Sequence, residues 1–340
     1  MPANRRTAVS RRGFVKGIAA AAAVPFVATS STRNSVILGA GSHVYELIPQ
    51  WGQLPEGVKY GYTHGVVIDS RNRVLVHNQS KDAVILFDEG GKFIKSWGAD
   101  FEKGAHGMFL SKEGGVEYLC LADYVRHIVA KTTLDGERVW TLGFPEEAGV
   151  YQNAEQYRPT NVAVAPNGDF YVADGYGLSW VHHYDSKARY IRSWGGKCAE
   201  AGKLDCPHGI WVDTRGKEPI LVVADRGNQR LQTFTLDGRH LGFVTDELRR
   251  PCHFDQYKDE LYIPDLHGRV TIFGKDNRLI THLGDNPGVW DVKGWPNLPR
   301  SQWTDGRFIS PHAACVDQRG DIYVAEWIAE GRVTKLRRTA

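Results

Sequence analysis

Long apolar segments and helical periodicity are both missing from this 340-residue sequence. No stretch keeps its apolar residues at the spacing of an amphipathic helix, and short apolar runs alternate instead with polar turns such as 89–91 and 166–168. The apolar run from Ile18 to Ala28 is too short for a comfortable transmembrane helix. These absences favour an all-β fold and argue against stable membrane insertion of the mature protein.

Cysteine is scarce, and the five cysteines fit no zinc-ribbon pattern. The haem-attachment pattern Cys-x-x-Cys-His is absent too, which argues against an electron-transfer protein that carries covalent haem. Cys198 and Cys206 flank a short loop, so they can form a disulfide in an oxidising compartment or remain free thiols. Cys120, Cys252 and Cys315 lie in or beside apolar runs and are interpreted as small buried residues.

A strong net charge is absent as well, since 42 lysines and arginines face 39 acidic residues. The basic excess lies near the N-terminus, at Arg5, Arg6, Arg11, Arg12 and Lys16. Without those residues the chain is mildly acidic, so we expect no nucleic-acid partner.

The N-terminal segment has the features of an export signal. Ser10 to Lys16 contains a twin-arginine motif, and the apolar run follows it directly. Twin-arginine signals direct proteins out of the cytoplasm, so we expect a periplasmic or extracellular location. We therefore divide the chain into a signal and linker, 1–35, and a single domain, 36–340; an uncleaved N-terminal anchor is the alternative.

Six short stretches recur along the rest of the chain, each centred on a histidine or an asparagine. Each centre is followed by an apolar run, a polar turn and a second apolar run. The centres are His64, His106, Asn161, His208, His253 and His312. A recurring unit of roughly 40–50 residues made of short strands is typical of a β-propeller.

The two ends of this repeat array complement each other. Tyr45 to Ile48 resembles the outer strand of a blade but precedes every blade, whereas Val333 to Leu336 is a third strand that lacks a fourth. Pairing them closes the ring and leaves no open blade edge. The sequence therefore predicts an all-β, six-bladed β-propeller in which an N-terminal strand closes the last blade. The predicted blades are about 63–97, 106–143, 160–195, 207–245, 251–283, and 311–338 with 45–51.

Ten tryptophans are present, and we interpret them as wedges between blades or as walls of a binding cleft. Three of them, Trp290, Trp295 and Trp303, lie in the long irregular segment 285–310. Long irregular segments in compact domains are often functional, so this segment is a candidate lid.

The repeated centres are the candidate site. The innermost strand of each blade lines the central channel, so equivalent residues of different blades converge on the channel mouth. Histidine is the commonest nitrogen ligand of metals, and three histidines give zinc an open fourth position. Histidines that only bond the backbones of neighbouring blades are the alternative.

A second repeated position ends the second strand of each blade. It is occupied by His77, Asp123, Asp174, Asp225, Asp265 and Glu326. We expect these side chains to bond the backbone of nearby loops. Two of those loops place Tyr176 and Arg226 at the same rim as the histidines, where a tyrosine can act as a base and an arginine can grip a carboxylate.

Two stretches resemble a known enzyme family. The segments 158–176 and 207–228, together with Pro311-His312, are similar to the catalytic domain of peptidyl-α-hydroxyglycine α-amidating lyases, within the NHL-repeat propellers. The resemblance covers 104–338. It implies zinc ligands at His106, His208 and His312, a catalytic tyrosine at Tyr176 and an active-site arginine at Arg226. It also implies cleavage of a carbinolamide C–N bond to give an amide and glyoxylate.

The chain departs from that family at several positions. The family's first-blade arginine is replaced around residues 77–79, and Ser310 replaces a methionine. The resemblance implies a structural calcium, but the acid that helps to hold it is Ala313 here. His64, Asn161 and His253 are additional candidates at the channel mouth, and we expect no monooxygenase domain beside the propeller.

Three functions remain open at this point. The first is an exported metal-dependent lyase or hydrolase, with zinc as the expected ion and a carbinolamide or, alternatively, a sugar- or uronate-like hydroxyacid as substrate. The second is a non-catalytic propeller that binds a ligand or a protein. The third is a redox protein. We expect a monomer whose partner is a small molecule or a peptide.

Overall fold

Six antiparallel sheets and six short 3₁₀ helices make up residues 35–340, the part of the chain that the computed structural model describes. The predicted export signal lies outside these residues, which form one compact unit by themselves. Within them, no helix is both long enough and apolar enough to cross a membrane. The sheets are the blades of a six-bladed β-propeller, so the fold predicted from the repeat is confirmed.

The strands follow the predicted blade boundaries closely. The first two strands are β1 (Ile37–Ala40) and β2 (His43–Ile48). Blade 1 contains β3 (Thr63–Ile68), β4 (Val74–Asn78), β5 (Val84–Phe87) and β6 (Phe93–Trp97). Blade 2 contains β7 (Ala105–Glu113), β8 (Val116–Asp123), β9 (Ile128–Thr133) and β10 (Arg138–Leu142). Blade 3 contains β11 (Asn161–Val164), β12 (Phe170–Ala173), β13 (Trp180–Tyr184) and β14 (Tyr190–Gly195).

The second half of the ring repeats this arrangement. Blade 4 contains β15 (Pro207–Asp213), β16 (Ile220–Asp225), β17 (Arg230–Phe234) and β18 (His240–Val244). Blade 5 contains β19 (Asp255–Tyr257), β20 (Glu260–Asp265), β21 (Arg269–Phe273) and β22 (Leu279–Leu283). Blade 6 contains β23 (Pro311–Val316), β24 (Ile322–Glu326) and β25 (Arg332–Arg338). The 3₁₀ helices are Ala99–Phe101, Glu146–Ala148, Ala154–Gln156, Arg226–Asn228, Val289–Asp291 and Arg300–Gln302.

Blade 6 is closed by the N-terminal strand, as predicted. Strand β2 pairs antiparallel with β25, with Tyr45 opposite Arg338 and Ile48 opposite Lys335. Strand β1 then adds a fifth strand outside β2, which the sequence pattern did not indicate. It is four residues long and shows little alternation, and Gly39 within it has a φ of 85°.

The hydrophobic core is divided among the interfaces between blades. Strands β4 and β5 are buried along their whole length because they are covered on both faces by neighbouring sheets. Each of six apolar clusters combines residues of two adjacent blades, including the pair formed by blades 6 and 1. A single blade therefore cannot bury its own faces, and the ring is stable only as a whole.

Tryptophans at or just after the end of a strand pack against a turn of the neighbouring blade. The indole of Trp97 in blade 1 donates a 3.2 Å hydrogen bond to the carbonyl of Leu134 in a turn of blade 2. Gly136 in that turn has a φ of 96°, and a Cβ there would lie 2.8 Å from the indole ring. Trp51 packs in the same way against Gly91. The interpretation of tryptophans as wedges describes these residues.

The second repeated position differs from the prediction in blade 1. Asp123, Asp225 and Glu326 pair with the first residue of the inner strand of their blades, and Asn78, not His77, has the equivalent pairing with Thr63. Asn78 also has the expected loop-binding role, since its side-chain oxygen accepts the Gly61 N–H at 2.9 Å. The assignment of His77 was therefore wrong by one residue.

Candidate metal centre

Four histidines meet at one end of the central channel. His64, His106, His208 and His312 each stand at the second position of the inner strand of their blade, where a local irregularity interrupts the pairing with the next strand. All four are at most 3% exposed. The inner strands thus place the imidazoles against one another, away from bulk water.

Three of these imidazoles form a nearly regular triangle. The ring centroids of His106 and His208 are 4.7 Å apart, those of His208 and His312 are 4.7 Å apart, and those of His106 and His312 are 4.9 Å apart. These are the three residues that the family resemblance assigns to zinc.

Backbone carbonyl groups fix the orientation of the same three rings. The Nδ1 of His106 lies 2.7 Å from the carbonyl of Thr160, that of His208 lies 2.8 Å from Cys252, and that of His312 lies 2.8 Å from His64. A carbonyl can only accept, so each Nδ1 carries the proton and each Nε2 is left with a lone pair. Backbone partners of this kind orient metal-binding histidines.

Burial keeps these imidazoles neutral. It lowers the pKa of His106 to about 3 and holds the pKa values of His64, His208 and His312 well below their ordinary range. The positive charge of Arg226 and the neighbouring histidines add to this lowering. Neutral imidazoles are the form that binds metals, so the site is ready to coordinate an ion near neutral pH.

Tyr176 lies between two of the three histidines. Its hydroxyl is 3.1 Å from Nε2 of His106 and 3.1 Å from Nε2 of His208. One hydroxyl proton can satisfy only one of these lone pairs. Burial raises the pKa of Tyr176 to about 12, and the Arg226 charge partly offsets this rise. Without a bound cation the residue is therefore a neutral phenol.

Arg226 is buried beside the tyrosine. Its guanidinium carbon lies 5.4 Å from the centre of the Tyr176 ring, and its Nη2 lies 3.3 Å from the sulfur of Cys206. Burial opposes its charge, but the Tyr176 hydroxyl and the two nearby thiols raise its pKa, so the guanidinium stays charged. Within residues 35–340, none of the ion pairs includes Arg226, and its Nε has no partner. A buried cation without a carboxylate is suited to an anionic ligand.

His64 occupies a special place in the cluster. Its Nδ1 lies 3.3 Å from Nε2 of His312. Since the His312 Nε2 has no proton, the His64 Nδ1 must be the donor, which leaves the buried His64 Nε2 as a lone pair without a partner.

The donor atoms fit a divalent ion of borderline softness. Ligand atoms of His64, His106 and His312 lie within 4.8 Å of one another, and so do those of His208, Cys252 and His312. Imidazole nitrogen and thiolate sulfur are ligands that suit zinc. The Nε2 lone pair of His64 has no proton donor, and the single Tyr176 proton leaves one of the His106 and His208 lone pairs without a donor. A bound cation would satisfy these lone pairs.

The other two repeated centres lie outside these donor groups. The side-chain oxygen of Asn161 accepts the N–H of Val162 at 2.7 Å. His253 lines a cavity of about 170 Å³ in the channel together with Met108, Phe254 and Asp255. The structure thus brings four of the six repeated centres together.

Two thiols lie near the site that the sequence did not assign to it. All five cysteines are free, and the Cys206 sulfur faces Arg226, as stated above, rather than pairing with Cys198. Cys252 is fully buried, and Arg226 Nη1 lies 3.8 Å from its sulfur. Its position directly before the repeated centre His253 is the one sequence signal that could have identified it.

The candidate lid packs over the blades next to the site. Trp290 stacks on His267 of blade 5 with ring centroids 4.6 Å apart, and Asn297 donates a 2.8 Å hydrogen bond to the Tyr62 hydroxyl. Val289, Leu298 and Ile309 of this segment form a small apolar core with Ile328 of blade 6. Its role as a lid stays a prediction.

Comparison with known proteins identifies two groups of relatives. The chain is 30% identical to NHL repeat-containing protein 3 of Mus musculus over 289 residues, which cover 80% of this chain and 79% of that protein. It is 29% identical to peptidyl-alpha-hydroxyglycine alpha-amidating lyase 1 of Drosophila melanogaster over 256 residues, 69% of this chain and 45% of that protein. No family model matches the chain.

Solved structures support the fold alone. A gluconolactonase from Xanthomonas campestris has a TM-score of 0.59 at 15% identity and covers 87% of this chain and 90% of its own. A streptogramin B lyase has a TM-score of 0.55 at 11% identity and covers 88% and 87%. Different chemistries therefore use this propeller, and the site residues must decide the function.

Proposed function

This chain belongs to the family of NHL repeat-containing proteins, and we propose that it is an exported metal-dependent lyase that cleaves the C–N bond of an α-hydroxylated amide. The observation that carries the proposal is the position of the Tyr176 hydroxyl, 3.1 Å from Nε2 of both His106 and His208. The similarity to a peptidyl-α-hydroxyglycine α-amidating lyase supports the same reaction class.

His106, His208 and His312 would hold the metal through their Nε2 atoms, because their Nδ1 protons are already engaged by backbone carbonyls. A bound divalent ion, zinc in this proposal, supplies a Lewis acid that makes the substrate hydroxyl more acidic. When the Nε2 lone pairs of His106 and His208 are used in this way, the Tyr176 hydroxyl loses its imidazole partners and is left facing the substrate.

Tyr176 is the proposed base. As a phenolate it takes the proton of the substrate hydroxyl, the electron pair of that O–H bond forms the C=O of glyoxylate, and the C–N bond breaks. The phenol then donates that proton to the departing amide nitrogen, so the products are a primary amide and glyoxylate and the phenolate is regenerated. Arg226 beside the ring stabilises the phenolate, which burial alone disfavours.

Arg226 is also the proposed partner of the substrate carboxylate. It is buried and charged, and it contacts only thiols and an aromatic ring among the groups described above. A bidentate contact with a carboxylate would neutralise it and orient the carbinol carbon. The substrate class is therefore a small molecule or peptide that ends in an α-hydroxyglycine unit.

A non-catalytic binding propeller is the second candidate function. The relative whose length the chain matches well, NHL repeat-containing protein 3, has a name that states a repeat and no reaction. Such a protein would still use the charged, buried Arg226 to bind an anionic ligand.

Metal analysis and an activity assay test the proposal together. The amount of bound zinc per chain is measured in wild-type protein, His208→Ala and His240→Ala after zinc loading and removal of excess metal. His240→Ala is the control, because His240 lies on the outer strand of blade 4, away from the site. We expect about one ion per chain, lost only in His208→Ala. The loaded proteins are then incubated with an N-acyl-α-hydroxyglycine, and glyoxylate release is measured. An ion retained by His208→Ala contradicts the metal site, and bound zinc without glyoxylate release favours the binding propeller.

A further inference from the structure

The backbone around Cys252 is held firmly against the metal centre. Its N–H donates to the carbonyl of Pro264 at 2.9 Å, and its own carbonyl accepts the Nδ1 proton of His208 at 2.8 Å. The same residue thus orients one proposed ligand through its carbonyl and presents its side chain beside that ligand.

The sulfur of Cys252 lies in a donor group with two proposed metal ligands. Its Sγ and one nitrogen from each of His208 and His312 all lie within 4.8 Å of one another. Cys206 contacts the same guanidinium but belongs to no such group. Proximity to Arg226 alone therefore does not account for the placement of Cys252.

We propose that the Cys252 sulfur is a further ligand of the metal, so that the centre is a mixed imidazole–thiolate site. This inference rests on the metal centre of the proposed function and adds a ligand that the family resemblance does not include. The thiol proton leaves to solvent when the sulfur binds the ion, and no electron is transferred. Arg226 Nη1, 3.8 Å from the sulfur, stabilises the negative charge that forms.

His312 restricts the arrangement to a single ion. Its Nδ1 donates to the carbonyl of His64, so only its Nε2 lone pair is available. This one lone pair belongs to both donor groups. It joins His64 and His106 in the first group, and His208 and Cys252 in the second. They are alternative or joint ligands of one ion, not two separate sites.

A thiolate ligand changes which metal the site selects. Three imidazoles accept zinc, copper, iron or nickel, whereas a thiolate favours soft and borderline ions and disfavours magnesium, calcium and manganese. It would also take up a coordination position that three histidines alone would leave open, so a substrate hydroxyl would compete with the Cys252 sulfur for the ion.

Cobalt(II) titration tests this ligand without relying on activity, because sulfur-to-cobalt charge transfer absorbs in the near ultraviolet and imidazole ligation alone does not. Wild-type protein, Cys252→Ser, Cys252→Ala and Cys206→Ser are compared. We expect the charge-transfer band in the wild type and in Cys206→Ser, and its loss in both Cys252 variants. Cobalt affinity of the Cys252 variants should fall at least about tenfold.

The outcomes separate this inference from the proposed function. The thiolate ligand is overturned, and the metal centre kept, by either of two results. The first is wild-type protein that binds one cobalt without the charge-transfer band, and the second is a band that persists in Cys252→Ser. Failure of wild-type protein to bind cobalt overturns both. Circular dichroism checks the fold of each variant. If both Cys252 variants unfold, X-ray absorption at the cobalt edge of wild-type protein decides, since a sulfur ligand in the first coordination shell supports the proposal and a shell of nitrogen and oxygen alone overturns it.

Discussion

The Nδ1 of His312 donates a 2.8 Å hydrogen bond to the backbone carbonyl of His64, and this bond joins the last blade to the first at the candidate metal centre. The seam that closes the ring is therefore also a wall of the site. Groups that hold the ring shut are coupled to groups that would hold the ion.

Metal binding should consequently stabilise the whole propeller. Zinc at about 100 times its dissociation constant is expected to add about 2.7 kcal/mol to the free energy of unfolding, because the ion binds the folded state. Denaturant unfolding with zinc and with a chelator measures the effect. His312→Ala should abolish the difference, and His240→Ala, on an outer strand, should keep it. Equal stability of zinc-loaded and chelated wild-type protein would contradict this prediction.

Removal of the Tyr176 hydroxyl should slow catalysis strongly and leave metal binding intact. Tyr176→Phe deletes the proposed base, so the rate of glyoxylate release is expected to fall about 10²–10⁴-fold. Tyr124→Phe is the matched control, because the Tyr124 ring also lies near His106, at 5.9 Å, while its hydroxyl accepts a hydrogen bond from Gln79. An unchanged rate in Tyr176→Phe would exclude it as the base.

The buried histidines should make the metal-free protein sensitive to acid. Burial lowers the pKa of His106 from its ordinary value of 6.5, which applies in the unfolded chain, to about 3 in the folded protein. Below pH 6.5 the unfolded chain therefore binds a proton at this residue that the folded chain does not. Stability is lost as pH falls through this window. At pH 5 the free energy of unfolding is about 2 kcal/mol lower than at neutral pH because of His106 alone.

His106→Gln isolates that contribution. Unfolding free energies of the wild type and of His106→Gln are measured at pH 7 and pH 5 without metal. The wild type should lose about 2 kcal/mol more than the variant over this interval. Parallel losses in both proteins would show that His106 does not titrate in this way.

The tryptophan contact between blades predicts a strong effect of one glycine. Gly136→Ala places a Cβ 2.8 Å from the Trp97 ring at a φ of 96°, and should cost about 2–3 kcal/mol. Gly114→Ala is the control, since Gly114 has a φ of 55° and no atom within 4 Å of the added Cβ. It should cost about 1 kcal/mol. Thermal or denaturant unfolding of the two variants gives the comparison, and equal losses would contradict the contact.

The repeated centres were sufficient to predict the ring. A histidine or asparagine at or just before the start of each inner strand marks where a blade begins, and the unpaired third strand at Val333 to Leu336 required a partner. Inner strands converge by symmetry, so the meeting of His106, His208 and His312 also followed from the repeat.

Other features depend on details that the repeat does not encode. The sequence places His77 at the repeated position that ends the second strand, but the pairing of Thr63 with Asn78 sets the register one residue later. The role of Cys252 could not be read from its apolar surroundings, because those surroundings look the same for an inert thiol and for a ligand. Cys252 is a candidate ligand because its Sγ lies close to His208 and His312. Only the assembled ring determines that distance.

Closure by strand β2 also sets an order of events during synthesis. Glu46 in β2 and Arg337 in β25 form an ion pair although they are 291 positions apart in the chain. Translation produces β2 long before β25, so the ring stays open until β25 has been synthesised. A chain that stops before Arg332 would therefore contain all four histidines of the candidate metal centre but lack β25, which would leave β2 and β24 each with an unpaired edge.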